Sequence, residues 1–255
     1  MSFLVLFEEE AANPGIIGQA LLLSGTIFHD TRDRDYIDVV SGAIRLLLDR
    51  TANNNDSVAQ STAGKRPAAT IINDVEMADF DGTNDELQLN SAVHDVANGD
   101  HTWVFVSKRD TENSTVKNIF GASNGSDNYW KLEYSNNAGE IKWNCGSGSD
   151  LIITGVDNTK TNIIIAKLSG STLSVFVNGG TAETSSDGEY LSDISEAYLG
   201  RRGSTSSLHL DGQIGFVALL PKVTSSAEDN SIGIFCADEF GVYHPNATWI
   251  TSTTN

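Results

Sequence analysis

From Val75 onward, apolar and polar side chains alternate with the period of two that a half-buried strand requires. Thr102-Trp103-Val104-Phe105-Val106-Ser107 reads as a strand closed by the charged turn Lys108-Arg109-Asp110. Tyr129-Trp130-Lys131-Leu132-Glu133-Tyr134 and Glu140-Ile141-Lys142-Trp143-Asn144-Cys145 alternate strictly, and Asn136-Asn137-Ala138-Gly139 between them supplies turn chemistry. A second hairpin joins Ile163–Leu168 to Thr172–Val177 across Ser169-Gly170, and Asn178-Gly179-Gly180 is a further hairpin signal. Tyr198-Leu199-Gly200 and Gln213–Leu220 complete the series. Many short strands with turns at regular spacing predict an all-β sandwich or jelly roll. Trp130, Leu132 and Tyr134 share one face, as do Ile141, Trp143 and Cys145, and these aromatics are expected in the core. A sugar-stacking platform is the alternative for Trp130 or Trp143. The opposite face carries Tyr129, Lys131, Glu133, Lys142 and Asn144, a mixed polar surface that suits either a glycan or plain solvent.

The first 50 residues read differently. Ile16–Leu23 is an apolar run after the Pro14-Gly15 turn, followed by a charged patch of Asp30, Arg32, Asp33, Arg34 and Asp35. In the block from Tyr36 to Leu48, Val39, Val40, Ala43, Leu46 and Leu47 sit at helical spacing, although Val39-Val40 suits a strand equally. Six of the sixteen basic residues precede residue 67. The expected organisation is an attachment or assembly segment over 1–50, a polar linker or long loop over 51–74, a sandwich over 75–235 and a C-terminal extension over 236–255.

Composition narrows the function classes. A formal net charge of -18 disfavours nucleic acid, where affinity comes from Lys and Arg neutralising phosphates, and disfavours anionic membrane surfaces and anionic polysaccharide unless a local basic patch or divalent cations intervene. The 23 glycines against 4 prolines suit a turn-rich β protein. Cys145 and Cys236 allow one optional bridge, with two free buried thiols the favoured expectation. Met1–Phe7 is apolar but runs into Glu8-Glu9-Glu10 without the build of a secretory signal, so synthesis in a cytoplasm is expected. No segment approaches a membrane span.

Four stretches carry a family resemblance. Phe80-Asp81-Gly82-Thr83-Asn84-Asp85 and Leu210-Asp211-Gly212-Gln213-Ile214-Gly215-Phe216-Val217 are apolar–Asp–Gly strand entries about 130 residues apart. Between them lie Leu173-Ser174-Val175-Phe176-Val177-Asn178-Gly179 and Leu199-Gly200, and Ser225-Ser226-Ala227-Glu228 follows. Together they resemble laminin-G-like domains of the concanavalin A-like lectin/glucanase superfamily, which implies a jelly-roll β-sandwich over roughly residues 75 to 230. Gly215 stands where Asp is usual and Phe216 where Glu is common. Gln60–Pro67 leading into Phe80-Asp81-Gly82 is similar to the lead-in of such domains in phage structural proteins.

That resemblance implies a non-enzymatic phage virion surface protein, a capsid decoration or a tail or head fibre. Its N-terminal segment would bind other virion proteins, its sandwich would hold host-surface glycans weakly, and it would form a homo-oligomer. A structural cement protein without glycan affinity and a polysaccharide-degrading glycosidase are the alternatives. Tyr129, Lys131, Asn144 and Arg201 are the candidate glycan-binding residues. Hydrolases on this fold resemble one another in a Glu-x-Asp-x-x-Glu strand, and the nearest match, Leu191-Ser192-Asp193-Ile194-Ser195-Glu196, lacks the first Glu. No catalytic residue, cofactor or metal is therefore expected. The five histidines lack ligand spacing, and Asp79, Asp81, Asp85 and Glu86 read as turn carboxylates before calcium ligands. Asn113-Ser114-Thr115, Asn124-Gly125-Ser126 and Asn246-Ala247-Thr248 match glycosylation acceptors and read as accidents of an Asn- and Ser-rich composition.

Overall fold

The computed structural model describes residues 26–72, 74–112, 115–124, 129–146, 148–190, 194–203 and 208–242. Along the chain come β1 (Ile27–Asp30), β2 (Ile37–Val40), β3 (Ala43–Leu47), β4 (Ala68–Ile72), β5 (Val75–Asp81), β6 (Leu87–Gln88) and the short helix α1 (Ala92–Ala97). Then follow β7 (His101–Arg109), β8 (Lys117–Ser123), β9 (Tyr129–Tyr134), β10 (Ile141–Gly146), β11 (Leu151–Ile153) and β12 (Asn162–Ser169). The chain continues with β13 (Thr172–Val177), β14 (Glu183–Ser185), β15 (Glu196–Leu199), β16 (Asp211–Leu220) and α2 (Ser226–Phe240).

The strands make two antiparallel sheets, the all-β sandwich that the alternation predicts. The larger has the order β14-β13-β12-β7-β16-β5-β4-β3-β2 with β1 also on β16, and the smaller has the order β11-β10-β9-β8-β15-β6. The two apolar–Asp–Gly entries are neighbours, with Asp81 opposite Asp211 and Phe80 opposite Gly212. Between the sheets lies the main core, where Trp103, Phe105, Phe120, Trp130, Leu132, Tyr134 and Trp143 are fully buried. Trp130 and Trp143 are thus core residues rather than sugar platforms.

A second apolar layer explains the central strands. Val104-Phe105-Val106, Ile163-Ile164-Ile165 and Phe216–Leu220 are continuous apolar runs because both faces of β7, β12 and β16 are covered. On the outer face Phe28, Val104, Val106, Ile163, Ile165 and Phe216 meet Ile232, Cys236 and Phe240 of α2. The Ser225 stretch that follows the last strand is this helix's capping box, with Ser225 and Glu228 bonding each other's backbone amides. Both departures from the family pattern serve the helix. Gly215 sits at a bulge where β16 hands its edge from β5 to β1, and a Cβ there would lie 2.4 Å from the Phe240 ring. Phe216 turns outward to meet Phe28 at 4.9 Å and Phe240 at 6.2 Å between ring centroids.

The structure redraws the expected boundaries. Residues 27–47 do not stand apart from the sandwich: β1 pairs with β16, and β2 and β3 continue the same sheet. The helical spacing at Val39–Leu47 gives way to a hairpin because Ser41 and Gly42 both take positive φ, at 55° and 82°, the two-residue turn whose twist matches antiparallel strands. Two of the early arginines, Arg32 and Arg50, are consumed inside the fold. Arg32 bonds Asp30 at 2.8 Å, pairs with Glu239 of α2 and lies 4.8 Å from the Phe240 ring centroid, and Arg50 reaches Asp30 at 2.9 Å. Ile16–Leu23 lies outside the described residues. The polar 51–74 segment bridges the sheets, with Val58 donating to Gln88 of β6 at 2.7 Å before the segment enters β4. The 235/236 boundary falls inside α2, where Cys236 is fully buried. Both cysteines are free and buried, and burial pushes both thiols up.

Candidate functional site

The outer face of the smaller sheet gathers the polar side chains that alternate with the core. Register places Asn144 opposite Lys131, Lys131 opposite Gly121, Gly121 opposite Tyr198 and Tyr198 opposite Gln88, a row that crosses five strands. The next row is Gly146, Tyr129, Ser123 and Glu196. Lys142 stands between Glu133 on one side and Ile152 on the other. Lys131, Asn144 and Arg201 therefore come together around one face, and the Tyr129 backbone lies on the neighbouring row. Sequence alternation located this face, but not Tyr198, Glu196 or Asp150. The pairing of β15 with β8 and the loop before β11 bring those in, and neither is local in sequence.

Asp150 organises one half of the face. Lys131 Nζ lies 2.9 Å from Asp150 Oδ1 and 3.3 Å from Glu133 Oε1, and Lys142 Nζ lies 4.0 Å from Asp150 Oδ2. Asn144 Nδ2 donates to Asp150 Oδ1 at 3.1 Å and to the Gly148 carbonyl at 2.7 Å. Burial raises the Glu133 pKa while Lys131 draws it back. Among the described residues, Asn144 Oδ1 is buried with no hydrogen-bond partner. A buried acceptor without a donor is costly and is relieved by any ligand that brings one.

Arg201 clamps the other half. Its Nε lies 2.7 Å from Glu86 Oε2, its Nη2 lies 3.8 Å from Glu196 Oε2, and its guanidinium carbon lies 3.5 Å from the Tyr198 ring centroid. Nη1 donates to the carbonyls of Arg202 and Gly203, both at 3.2 Å. With 8 % of its surface exposed, Arg201, a candidate glycan-binding residue from sequence, is an internal brace for the segment over β8. Gly121 makes that seat: a Cβ there would fall 2.5 Å from Gly203 N and 2.8 Å from the Arg201 carbonyl. Burial raises the Tyr198 pKa, against the pull of Arg201. Across the sheet, Glu189 N donates to the Cys145 carbonyl at 3.0 Å and Trp130 Nε1 to the Glu189 carbonyl at 3.3 Å, so a second segment borders the face.

The carboxylates weighed as calcium ligands are engaged elsewhere. Asp81 Oδ1 accepts from the amides of Thr83 and Asn84 at 2.8 and 3.1 Å, and Asp85 Oδ2 from the Asp81 amide at 3.0 Å. Glu86 pairs with Lys65 at 3.0 Å as well as with Arg201, and Asp79 accepts from Gln213 Nε2. Among the described residues no three His, Cys, Asp or Glu side chains gather as a metal-holding group.

A family model for the concanavalin A-like lectin/glucanases superfamily matches residues 81–228. No curated protein matches the chain. Among solved structures, a Trypanosoma rangeli sialidase in complex with 2,3-difluoro-KDN is similar over 86% of this chain and 33% of its own, with a TM-score of 0.59 at 16% identity. The same organism's sialidase in complex with sialic acid has a TM-score of 0.57 at 16% identity, over 86% of this chain and 34% of its own. A CBM40 of the Ruminococcus gnavus IT-sialidase bound to alpha2,3 sialyllactose has a TM-score of 0.47 at 19% identity, over 56% of this chain and 86% of its own. The chain spans about a third of the length of the Trypanosoma sialidase chains, and at these identities the likeness is one of fold.

These matches correct the expectation of a non-enzymatic phage virion protein: the folds that the chain shares are those of sialidases. The features behind that expectation have local causes. Within Gln60–Pro67, Ala63–Lys65 is a single 3-10 turn, Arg66 Nε donates to the Gln60 carbonyl at 2.8 Å, and Lys65 pairs with Glu86. The exclusion of enzymes leaned on Leu191 and Asp193, which lie outside the described residues, while Glu196 faces Arg201. With the family model matched over more than half of its length and the two-sheet architecture in place, the chain belongs to the concanavalin A-like lectin/glucanase superfamily.

Proposed function

We propose that this chain is the carbohydrate-recognising sandwich of a glycoside-hydrolysing protein, with the outer face of the six-stranded sheet as its glycan surface. The observation that carries the reading is the cluster of Lys131, Lys142 and Asn144 around Asp150, where Asn144 Oδ1 has no hydrogen-bond partner among the described residues. Paired charges around Asp150 and Arg201 fix hydrogen-bonding groups in place without a large net charge, which suits hydroxyl-rich ligands. The Tyr198 ring adds an apolar surface, already backed by Arg201. Sialylated oligosaccharides are the first class to test, because sialidases, one of them in complex with sialic acid, share the fold.

The experiment is a glycan array with sialylated and neutral arms, run beside a fluorogenic sialoside assay. Binding that falls in Asn144→Ala and Lys142→Ala, while both variants stay folded, is the expected result. No binding to any arm together with no hydrolysis overturns the reading.

A further inference from the structure

A second site lies on the opposite sheet. Between the outer face of β13, the turn after it and the first turn of α2 is a cavity of about 380 Å³, lined by Phe176, Gly179, Gly180, Ser226, Asp229 and Asn230. That size falls in the range of small-molecule pockets, roughly 300–1,000 Å³. Helix α2 covers β7, β12 and β16, so the partly buried Phe176 ring stands beside its flank rather than under it.

The chemistry of the walls is specific. Lys167 is 6% exposed, and its ammonium lies 5.0 Å from the Phe176 ring centroid, pairs with Asp229 and donates to the Thr224 carbonyl at 2.7 Å. Asp229 is 5% exposed and also accepts from Thr224 Oγ1 at 2.5 Å. The two charges cancel, and Asp229 still lines the cavity. Ser225 and Glu228 cap the helix start between them, so its first turn offers the cavity side chains. An aromatic ring, a hydroxyl, an amide and a neutralised carboxylate face one space. The two glycines leave the approach to the ring free of side chains.

We infer that this cavity binds an uncharged pyranose ring, with its apolar face on Phe176 and its hydroxyls on Ser226, Asp229 and Asn230. An anionic sugar would have to compete with Asp229 for the Lys167 ammonium, which Asp229 and the Thr224 carbonyl already hold. The site is independent of the glycan face on the six-stranded sheet and goes beyond that reading.

The test is saturation-transfer NMR on the full chain with methyl glucoside, methyl galactoside and N-acetylneuraminic acid as probes, on the parent and on Phe176→Ala, Asn230→Ala, Asn144→Ala and the control Gly99→Ala. A neutral glycoside is expected to receive saturation from the parent, with affinity at least about tenfold weaker in Phe176→Ala, the loss of one stacked ring. Asn230→Ala, a half-buried change within α2, should weaken it several-fold, and the Gly99→Ala control, where a Cβ meets nothing within 4 Å, should leave it unchanged. Neutral-glycoside binding that survives both cavity variants overturns the site, and loss in Asn144→Ala alone assigns the sugar to the other sheet. N-acetylneuraminic acid outcompeting both glycosides at the cavity also overturns the proposal, as does the absence of any neutral binding.

Discussion

Replacing Gly121 with alanine should unseat the segment that braces the glycan face. A Cβ at this position would lie 2.5 Å from Gly203 N, 2.8 Å from the Arg201 carbonyl and 2.9 Å from Arg202 Cα. All three are backbone atoms, so no rotamer change relieves the clash. Ordinary carbon contacts begin near 3.5 Å, so the segment must lift by roughly 1 Å. Overpacking of this kind costs about 1–3 kcal/mol. The lift also draws Arg201 from Glu86 and Glu196, and a fully broken buried pair costs about 3–5 kcal/mol. A net loss of about 2–3 kcal/mol is expected. Gly99→Ala is the control, because nothing lies within 4 Å of a Cβ there. Urea unfolding at neutral pH reads both variants, and glycan affinity is measured where Gly121→Ala is still folded. If Gly121→Ala is as stable as Gly99→Ala, the segment does not rest on β8 as described.

Three further predictions concern the frame around the site. His101, fully buried and bonded to the Gly99 carbonyl at 2.7 Å, has its pKa pushed down by burial to about 4 from 6.5. Its folded form is neutral, so its contribution is whole above pH 6.5 and is lost as the pH falls towards 4, about 3 kcal/mol in all. His101→Asn keeps a donor for Gly99 and should flatten that part of the acid-unfolding profile, and identical profiles would refute the assignment. Burial raises Asp85 to about 6, against the bond from the Asp81 amide and with Asp81 and Asp79 adding to the rise. The folded chain therefore holds this proton, and the stabilisation is whole below pH 3.8 and lost as the pH rises through about 6. Asp85→Asn should melt higher than the parent at pH 7.5 and level with it at pH 3.5, and an equal gain at both contradicts the account. Trp143→Ala should cost about 3–5 kcal/mol, whereas Lys142→Ala on the other face of β10 should cost under about 0.5 kcal/mol, as read by thermal unfolding. A reversal of that order would mean that the strand is registered the other way.

Period-two alternation located β9 and β10, because one face of each is buried and the other polar, but it did not mark β8, β11 or β14 as strands. It misjudged the N-terminal strands for a physical reason. Apolar residues in β2 and β3 mimic helical spacing when the two-residue turn between them is overlooked, and the Ser41-Gly42 pair was the available signal. The basic residues before residue 67 looked like a charged patch because the partners of Arg32, Arg34 and Lys65, namely Glu239, Glu76 and Glu86, are distant in sequence. The site was legible on β9 and β10 alone. Asp150, Glu196 and Tyr198 enter it through pairings that composition does not reveal, and Arg201 turned inward because Glu86 and Tyr198 hold it. The helix that covers the larger sheet left a trace in Gly215 and Phe216, the two departures from the family pattern, which have meaning only beside Phe240.

The central claim is that the outer face of the six-stranded sheet holds the glycan. Amide chemical-shift mapping of the isotope-labelled chain, titrated with sialyllactose and with lactose, tests it most directly. Saturable shifts clustered on Lys131, Lys142, Asn144 and Tyr198 are expected with at least one of the two sugars. Shifts confined to other surfaces, or none with either sugar, would contradict it.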